Sequence, residues 1–392
     1  MSPDSNPVVS IIVPARNEEA NLAGCLKSLV TQTGIRFGII VVDDDSTDRT
    51  AEIARSFATR KPETRGPSDH ARDEHERDDH TREGTASAVP QDSPSDDRGF
   101  SPAVRVIPAG PLPENWTGKN NAMSAGAKAA NTNTNTKAKW LLFTDADTVH
   151  QPGSLARAVA EAEQHGAALL SYSPAQEVHG FWEKAVMPVI FAELATTYPP
   201  QAVNDPASPI AAANGQYLMI SREAYDAVGG HTTISADLLE DVALARLIKR
   251  AGRKIFFRYA PDAVRTRMYR SFAQLREGWT KNLALLFPRP RGLAVLRMAE
   301  FALIAGNLVT AIWAKFSGRP NLALQTALLT IILSGWFAMR IRKAHFSTFS
   351  NLLAILGLPM FSYLLLQSAS LHRNTGVAWK GREYASHQSM YF

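Results

Sequence analysis

An open α/β sheet domain followed by membrane helices is the fold class this sequence predicts, and three observations predict it. Short apolar runs (Val8 to Pro14, Phe37 to Val42 and Trp140 to Phe143) alternate with helical stretches, and each breaks into polar residues at its C-terminal end. Two carboxylates, Asp145 and Asp147, stand directly beyond the third run, where open parallel sheets bind their ligands. Long apolar segments gather only after Leu293, although hydrophobic residues make up 45% of the whole chain.

The formal charge of +5 is compatible with nucleic acid or an anionic membrane surface. No basic helix or aromatic-basic ribbon module is present, and Lys and Arg cluster around the late apolar segments, so the bilayer is the expected partner and nucleic acid is not. The single cysteine, Cys25, cannot form an intrachain disulfide and lies in an amphipathic run, which reads as a buried thiol and cytosolic chemistry. Residues 1–7 lack the basic start and apolar core of a signal peptide, so the first domain is expected to stay in the cytoplasm, anchored to the inner (plasma) membrane by a multi-pass region.

Val8 to Pro14 is β-branched and reads as a first buried strand. Pro14 to Glu19 (PARNEE) then turns into a helix running to about Gln32, with Asn17 as its candidate cap. Phe37 to Val42 is a second strand, ending in Asp43, Asp44, Asp45 and Ser46, and Asp48 can start the next helix. Such a β-α-β-α unit implies parallel strands with a right-handed crossover. From about 59 to 99 the apolar pattern stops, and the composition reads as a disordered insertion. Its His70, His75 and His80 match no zinc-ligand spacing.

Val104 to Pro108 resumes the sheet, and Gly118 and Lys119 open a small-residue helix whose start suits a phosphate. Trp140 to Phe143 reads as a strand buried on both faces. For an isolated D-x-D such as Asp145 and Asp147, an acidic turn or helix cap competes with a metal site. Gly153 to His165 reads as helix, Ala167 to Ser173 as strand, and Phe181 to Tyr198 as a helix lying partly on the bilayer. Ala213 to Ser221 follows as a strand reached through Asn214, Gly215 and Gln216. Leu238 to Gly252 is an amphipathic helix with Glu240 and Asp241 in its first turn, where the dipole favours acids. Residues one apart on a helix are rotated by about 100°, so only one of these two can aim squarely at a given site.

Asn321 to Met339 and Asn351 to Leu371 each hold close to the ~20 apolar residues that cross a bilayer. Leu293 to Trp313 contains Arg297 and Glu300, costly inside a membrane, and reads either as a third span or as a helix in the interface, the interface being the expected place. Two crossings are therefore expected. The domain organisation is a sheet domain at 1–290, a membrane region at 291–372 and a basic tail at 373–392.

PARNE, VVDDDSTD, GK, TDAD, ED and QLREGW form six polar stations on one scaffold, and their order resembles the family 2 glycosyltransferases of the GT-A fold over about Val8 to Asn282. The variants PENWTGKNNA, ANGQY, VGGH, LLEDVALA and the tail's VAWKGREY are more narrowly similar to membrane enzymes associated with hopanoid and carotenoid glycosylation, and more distantly to ceramide glucosyltransferases. The coincidence of stations favours a metal and nucleotide-sugar role for Asp145 and Asp147 over a turn or cap.

The resemblance implies a nucleotide-sugar donor, most simply a UDP-sugar, a lipid acceptor, and a divalent cation (Mg²⁺ or Mn²⁺). Asp147 would be the main metal ligand, with Asp145 on the metal or the ribose. Glu18, Asp43 and Asp44, with Pro14 and Ala15 of the first station, would hold the nucleoside, and Lys119 would face the phosphates. Asp241 would be the general base of an inverting displacement, with Glu240 as runner-up. Gln274, Arg276 and Trp279 resemble the family's Q-x-x-R-W element on the donor, but the Arg and Trp are not adjacent here, which leaves the role of Arg276 open. A sugar nucleotidyltransferase and a non-catalytic membrane scaffold are the competing readings.

Overall fold

The computed structural model describes residues 8–58, 102–130, 138–374, 377–379 and 381–384. The expected insertion, with its three histidines, lies outside the described residues. The strands in chain order are β1 (Val9–Ala15), β2 (Phe37–Asp43), β3 (Val104–Pro108), β4 (Trp140–Phe143), β5 (Thr148–His150), β6 (Leu169–Ser173), β7 (Ala175–Gln176), β8 (Leu218–Ser221), β9 (Ile255–Tyr259) and β10 (Val264–Thr266). Seven of them form one sheet in the order β3-β2-β1-β4-β8-β6-β9. β1 to β4 are mutually parallel, as the βαβ pattern requires, whereas β8 runs antiparallel to both β4 and β6. That reversal brings the start of β8 to the edge where β1, β2 and β4 end. β5, β10 and β7 make a small second sheet beside it.

The alternation of side chains along β1 explains why both faces must be covered. Val9, Ile11 and Val13 pack into one core cluster with Ile39, Val41 and Leu142, while Ile12 joins Ile40, Val42 and Leu141 on the other face. Each side chain fully removed from water in this way contributes about 1.5–3 kcal/mol. The covering helices are α1 (Leu22–Val30), α2 (Thr50–Ala58), α3 (Gly118–Ala129), α4 (Ser154–His165), α5 (Phe181–Thr197), α6 (Pro200–Asn204), α7 (Arg222–Ala227), α8 (Gly230–Thr233), α9 (Glu240–Arg250) and α10 (Phe272–Leu286). α1 starts at Leu22, later than the sequence pattern indicates. Asn17 holds a left-handed backbone (φ 53°) and its Oδ1 accepts from the Thr47 amide, which ties it to the neighbouring loop instead of capping the helix. Cys25 is fully buried, and burial pushes its thiol up to about 12.

Three long helices follow: α11 (Pro290–Phe316), α12 (Pro320–Ile341) and α13 (Thr348–Asn374). All three are long and apolar enough to cross a membrane. Arg297 and Glu300, the charges within Leu293 to Trp313, lie in α11 and are paired. Arg297 Nε lies 2.9 Å from Glu193 of α5 and its Nη1 lies 3.1 Å from Glu300. Arg340 of α12 closes the network, 2.7 Å from Glu300 and 3.3 Å from Glu193.

It is α13 that differs from its neighbours. α11 and α12 present large apolar side chains outward along their length, from Val295 to Phe316 and from Leu324 to Met339. α13 instead buries Ala354, Leu358, Phe361 and Leu365 against α5, α10 and α11. Both of its ends touch the sheet domain. Before it, His345 stacks on Tyr259 of β9 at 4.4 Å between ring centroids; at its end, His372 Nε2 meets the Lys281 carbonyl of α10 at 2.8 Å. Midway, a Cβ on Gly357 would fall 2.0 Å from the Ala185 carbonyl oxygen, so only glycine lets the two backbones approach so closely.

Candidate active site

The site forms at the sheet edge where β1, β2 and β4 end and β8 begins, the position expected for ligands of such a sheet. Its loops are interlocked. Glu18 and Asn17 donate their amides to Thr50 Oγ1 and Ser46 Oγ, at 2.7 and 3.1 Å, and Arg16 Nη1 donates to the Asp44 carbonyl at 2.6 Å. Beyond β4, Thr144 Oγ1 donates to the Gln216 carbonyl and Thr148 Oγ1 to that of Asp145, both at 2.7 Å, which fixes the D-x-D turn against the start of β8. His150, the last residue of this stretch, is buried with Nε2 3.1 Å from Thr144 Oγ1, and burial lowers it to about 3; it is a neutral strut.

Thr117 caps α3 by accepting from the Asn120 amide, and Asn120 Nδ2 donates to the carbonyls of Ile234, Ser235 and Asp237. These bonds hold the start of α3 against the segment leading into α9. They explain how Lys119 and Glu240, 121 positions apart in the numbering, come together. Lys119 Nζ sits 2.7 Å from Glu240 Oε1 and 2.8 Å from Asp145 Oδ1. Gly215 closes the junction. Its amide donates to Asp241 Oδ2 at 2.8 Å, and a Cβ there would lie 3.2 Å from both Glu240 Oε1 and Lys119 Nζ and 3.5 Å from Asp241 Oδ2.

The adjacent acids of α9 are driven apart. Burial raises the Glu240 carboxyl, but Lys119, followed by Lys281, more than offsets this and holds it below the ordinary glutamate value. Asp241 is pushed up to about 6, by burial first and then by the Glu240 charge, against the opposing pull of Lys119. Burial pulls the Lys119 ammonium down, yet Asp145 and Glu240 keep it well above its ordinary value, whereas burial leaves Lys281 below it. A carboxylate titrating near 6 at a cavity wall suits general-base work near neutral pH.

Two cavities meet at this junction, sharing Lys119, Asp145, Gln216 and Glu240 in their walls. The smaller, about 480 Å³, is lined by Pro14, Ala15, Glu18, Asp44, Lys119, Asp145, Asp147 and Gln274, residues the sequence marked for the nucleotide sugar. The larger, about 610 Å³, contains Asp241 and is walled by Phe191, Leu194, Met268, Trp279 and Phe346, beside the joint between α12 and α13. Three expected donor residues fall elsewhere. Asp43 lines neither cavity, and its Oδ1 accepts from the Ser46 amide. Arg276 is exposed and also lines neither. Trp279 faces the larger cavity, packed edge-on to Phe191, because the 100° step along α10 sends it away from Gln274. Sequence reasoning passed over Lys281, Gly215 and Arg382; Gly215 and Arg382 lay in the quoted motifs ANGQY and VAWKGREY.

A hard divalent cation in such a site is held by one or two carboxylates together with substrate phosphate oxygens. Asp145 and Asp147 both lie in the wall of the smaller cavity, and two carboxylates are donors of the kind such a cation takes. Among the described residues no group of three or more metal-ligating side chains forms, so a diphosphate would have to complete the shell.

The family described as Glycosyl transferase family 2 matches residues 10–67, and Glycosyl transferase family 21 matches residues 115–389. The chain belongs to glycosyltransferase family 21. This glycosyltransferase is 25% identical over 395 residues to the 4,4'-diaponeurosporenoate glycosyltransferase of Staphylococcus aureus strain MRSA252, covering 97% of this chain and 89% of the relative. The enzyme of the same name from strain USA300 is 26% identical over 398 residues, with the same coverage. Among solved structures, the mannosyltransferase PcManGT from Pyrobaculum calidifontis, in complex with GDP-Man and Mn²⁺, superposes with a TM-score of 0.50 at 15% identity, covering 94% of this chain and 88% of that one. The likeness supports the GT-A fold.

Proposed function

We propose that this glycosyltransferase moves a sugar from a nucleoside-diphosphate sugar in the smaller cavity to a hydroxyl of a membrane lipid, of carotenoid or hopanoid type, in the larger one. The observation that carries the reading is the junction itself: Lys119, Asp145 and Glu240 are shared by the two cavities, and Asp241 opens on the apolar one. The donor's nucleoside lies against Glu18 and Asp44, and Lys119 balances charge on the diphosphate. Asp145 and Asp147 would hold a divalent cation, which when bound supplies Lewis-acid stabilisation of the leaving diphosphate. Asp241 takes the proton of the acceptor hydroxyl as that oxygen attacks the anomeric carbon on the face opposite the leaving group, so configuration inverts in one displacement.

The relatives are named for 4,4'-diaponeurosporenoate, a carboxylate, and a carboxylate in its ionised form has no proton to lose. A carboxylate acceptor would make Asp241 dispensable as a base. A raised carboxyl held by two backbone amides at the wall of the acceptor cavity favours the hydroxyl.

Residues 1–290 form the catalytic domain, on the cytoplasmic side of the plasma membrane, with 291–372 as its membrane region. α11 and α12 cross as a hairpin, and α13 lies in the plane of the interface. The contact of both ends of α13 with the catalytic domain supports this arrangement, as does the row of exposed Phe349, Leu352, Leu356, Tyr363 and Leu366 along it. This arrangement has two crossings, made by α11 and α12 in place of the pair that hydropathy marks. Screening nucleotide sugars against lipid extracts, with mass analysis of the organic phase, tests the proposal: a hexose-sized mass increase on a lipid is expected. Synthesis of a nucleotide sugar from a sugar phosphate would replace it with the nucleotidyltransferase reading.

A further inference from the structure

The tail carries a strand pair that returns to the donor cavity. β11 (Val377–Trp379) and β12 (Arg382–Tyr384) are antiparallel, with Trp379 opposite Arg382, and β11 packs against α10. Arg382 is thereby carried 338 positions back onto Asp44. Its Nη1 and Nη2 donate to the two carboxylate oxygens at 2.5 and 3.1 Å, in the two-pronged geometry that suits guanidinium groups. The guanidinium lies in the wall of the smaller cavity with Lys119. Gly118 makes room for it: a Cβ at that position would fall 1.8 Å from Arg382 Nη1 and 2.6 Å from Asp44 Oδ2.

We infer that Arg382 is a ligand of the donor's diphosphate, delivered to the nucleotide cavity by the tail and oriented there by Asp44. The inference rests on the donor reading of that cavity. Three features support it together. A planar five-donor fork matches phosphate oxygens better than any other side chain does. Its neighbour Lys119 begins α3, so two cations stand at one wall. The glycine that opens this helix leaves the guanidinium its space. Asp44 acts on the diphosphate only through the arginine, and the tail becomes part of the binding site.

The test compares nucleoside diphosphates with monophosphates on the purified full chain, using UDP and GDP against UMP and GMP. The Arg382→Gln variant should lose about tenfold to a hundredfold in affinity for the diphosphate the wild type binds, the usual scale of one charge-assisted contact. Its affinity for the matching monophosphate should stay within about threefold, a change of well under 1 kcal/mol. Arg382→Lys should restore part of the loss. In turnover, KM for the donor rises more than kcat falls. Unchanged or tighter diphosphate binding in Arg382→Gln would overturn the assignment, the latter showing a latch over the cavity. Equal losses for both nucleotides would also overturn it, since they mark a structural role. If the wild type binds neither diphosphate, the donor reading itself fails, and this inference with it.

Discussion

Replacing Glu240 with Gln separates the two acids of α9, to which the proposed mechanism gives different work. Asp241 is raised from 3.8 to about 6 by burial first and by the Glu240 charge second, with Lys119 and the amides of Val242 and Gly215 pulling the other way. Lys281 also lies in the cavity wall. The base acts ionised, so kcat/KM rises with pH through the Asp241 value and levels above it. Glu240→Gln removes the second cause and leaves burial, moving the acid limb down by roughly half a unit to one unit. At pH 5 a group of pKa 6 is about one-tenth ionised, and one shifted by that amount is about a quarter to a half ionised. The variant should therefore keep several-fold more of its own plateau activity at pH 5 than the wild type does. Initial rates at subsaturating acceptor, from pH 4.5 to 8.5, measure this. An unmoved limb would refute the coupling. Transfer lost in Glu240→Gln but kept in Asp241→Asn would transfer the base role to Glu240.

Two further outcomes follow from the packing. Gly215→Ala places a methyl group 3.2 Å from Lys119 Nζ and Glu240 Oε1, and should lower kcat/KM by about tenfold to a hundredfold with little change in thermal midpoint, as small displacements at a reacting site do; full activity would show that the junction is slack. Cysteines introduced for Ser317, after α11, and Arg373, at the end of α13, should react with an impermeant maleimide from opposite sides of sealed vesicles, Arg373→Cys from the side of the catalytic domain. Buried Cys25 leaves little background. Labelling of both from one side would remove the hairpin arrangement.

The parts of the fold legible in the sequence are those set by local pattern. β1, β2 and β4 are continuous apolar runs because both faces of the central strands are covered, and their polar ends mark the site edge. Lys119, Asp145, Glu240 and Asp241 were visible as residue types, but the cluster they form beside Gly215 depends on Asn120 tying α3 to the segment before α9, a contact with no local signature. α13 has the hydropathy of a span, and hydropathy does not report what covers a helix. Gly357, Ser362 and Ser368 within it, which meet Ala185, Ala294 and Ala284, are the signal of docking that the sequence carried. The pairing of Arg297 and Glu300 in α11 was not legible, because their partners Glu193 and Arg340 come from two other helices. The return of Arg382 to Asp44 is equally non-local.

The proposed reaction is a single displacement at the junction of the two cavities, with Asp241 on the acceptor side. The anomeric configuration of the lipid-linked sugar, read by proton NMR on the extracted product, tests it most directly. The configuration opposite to that of the donor is expected, with no product from Asp241→Asn. A product that retains the donor's configuration would contradict it.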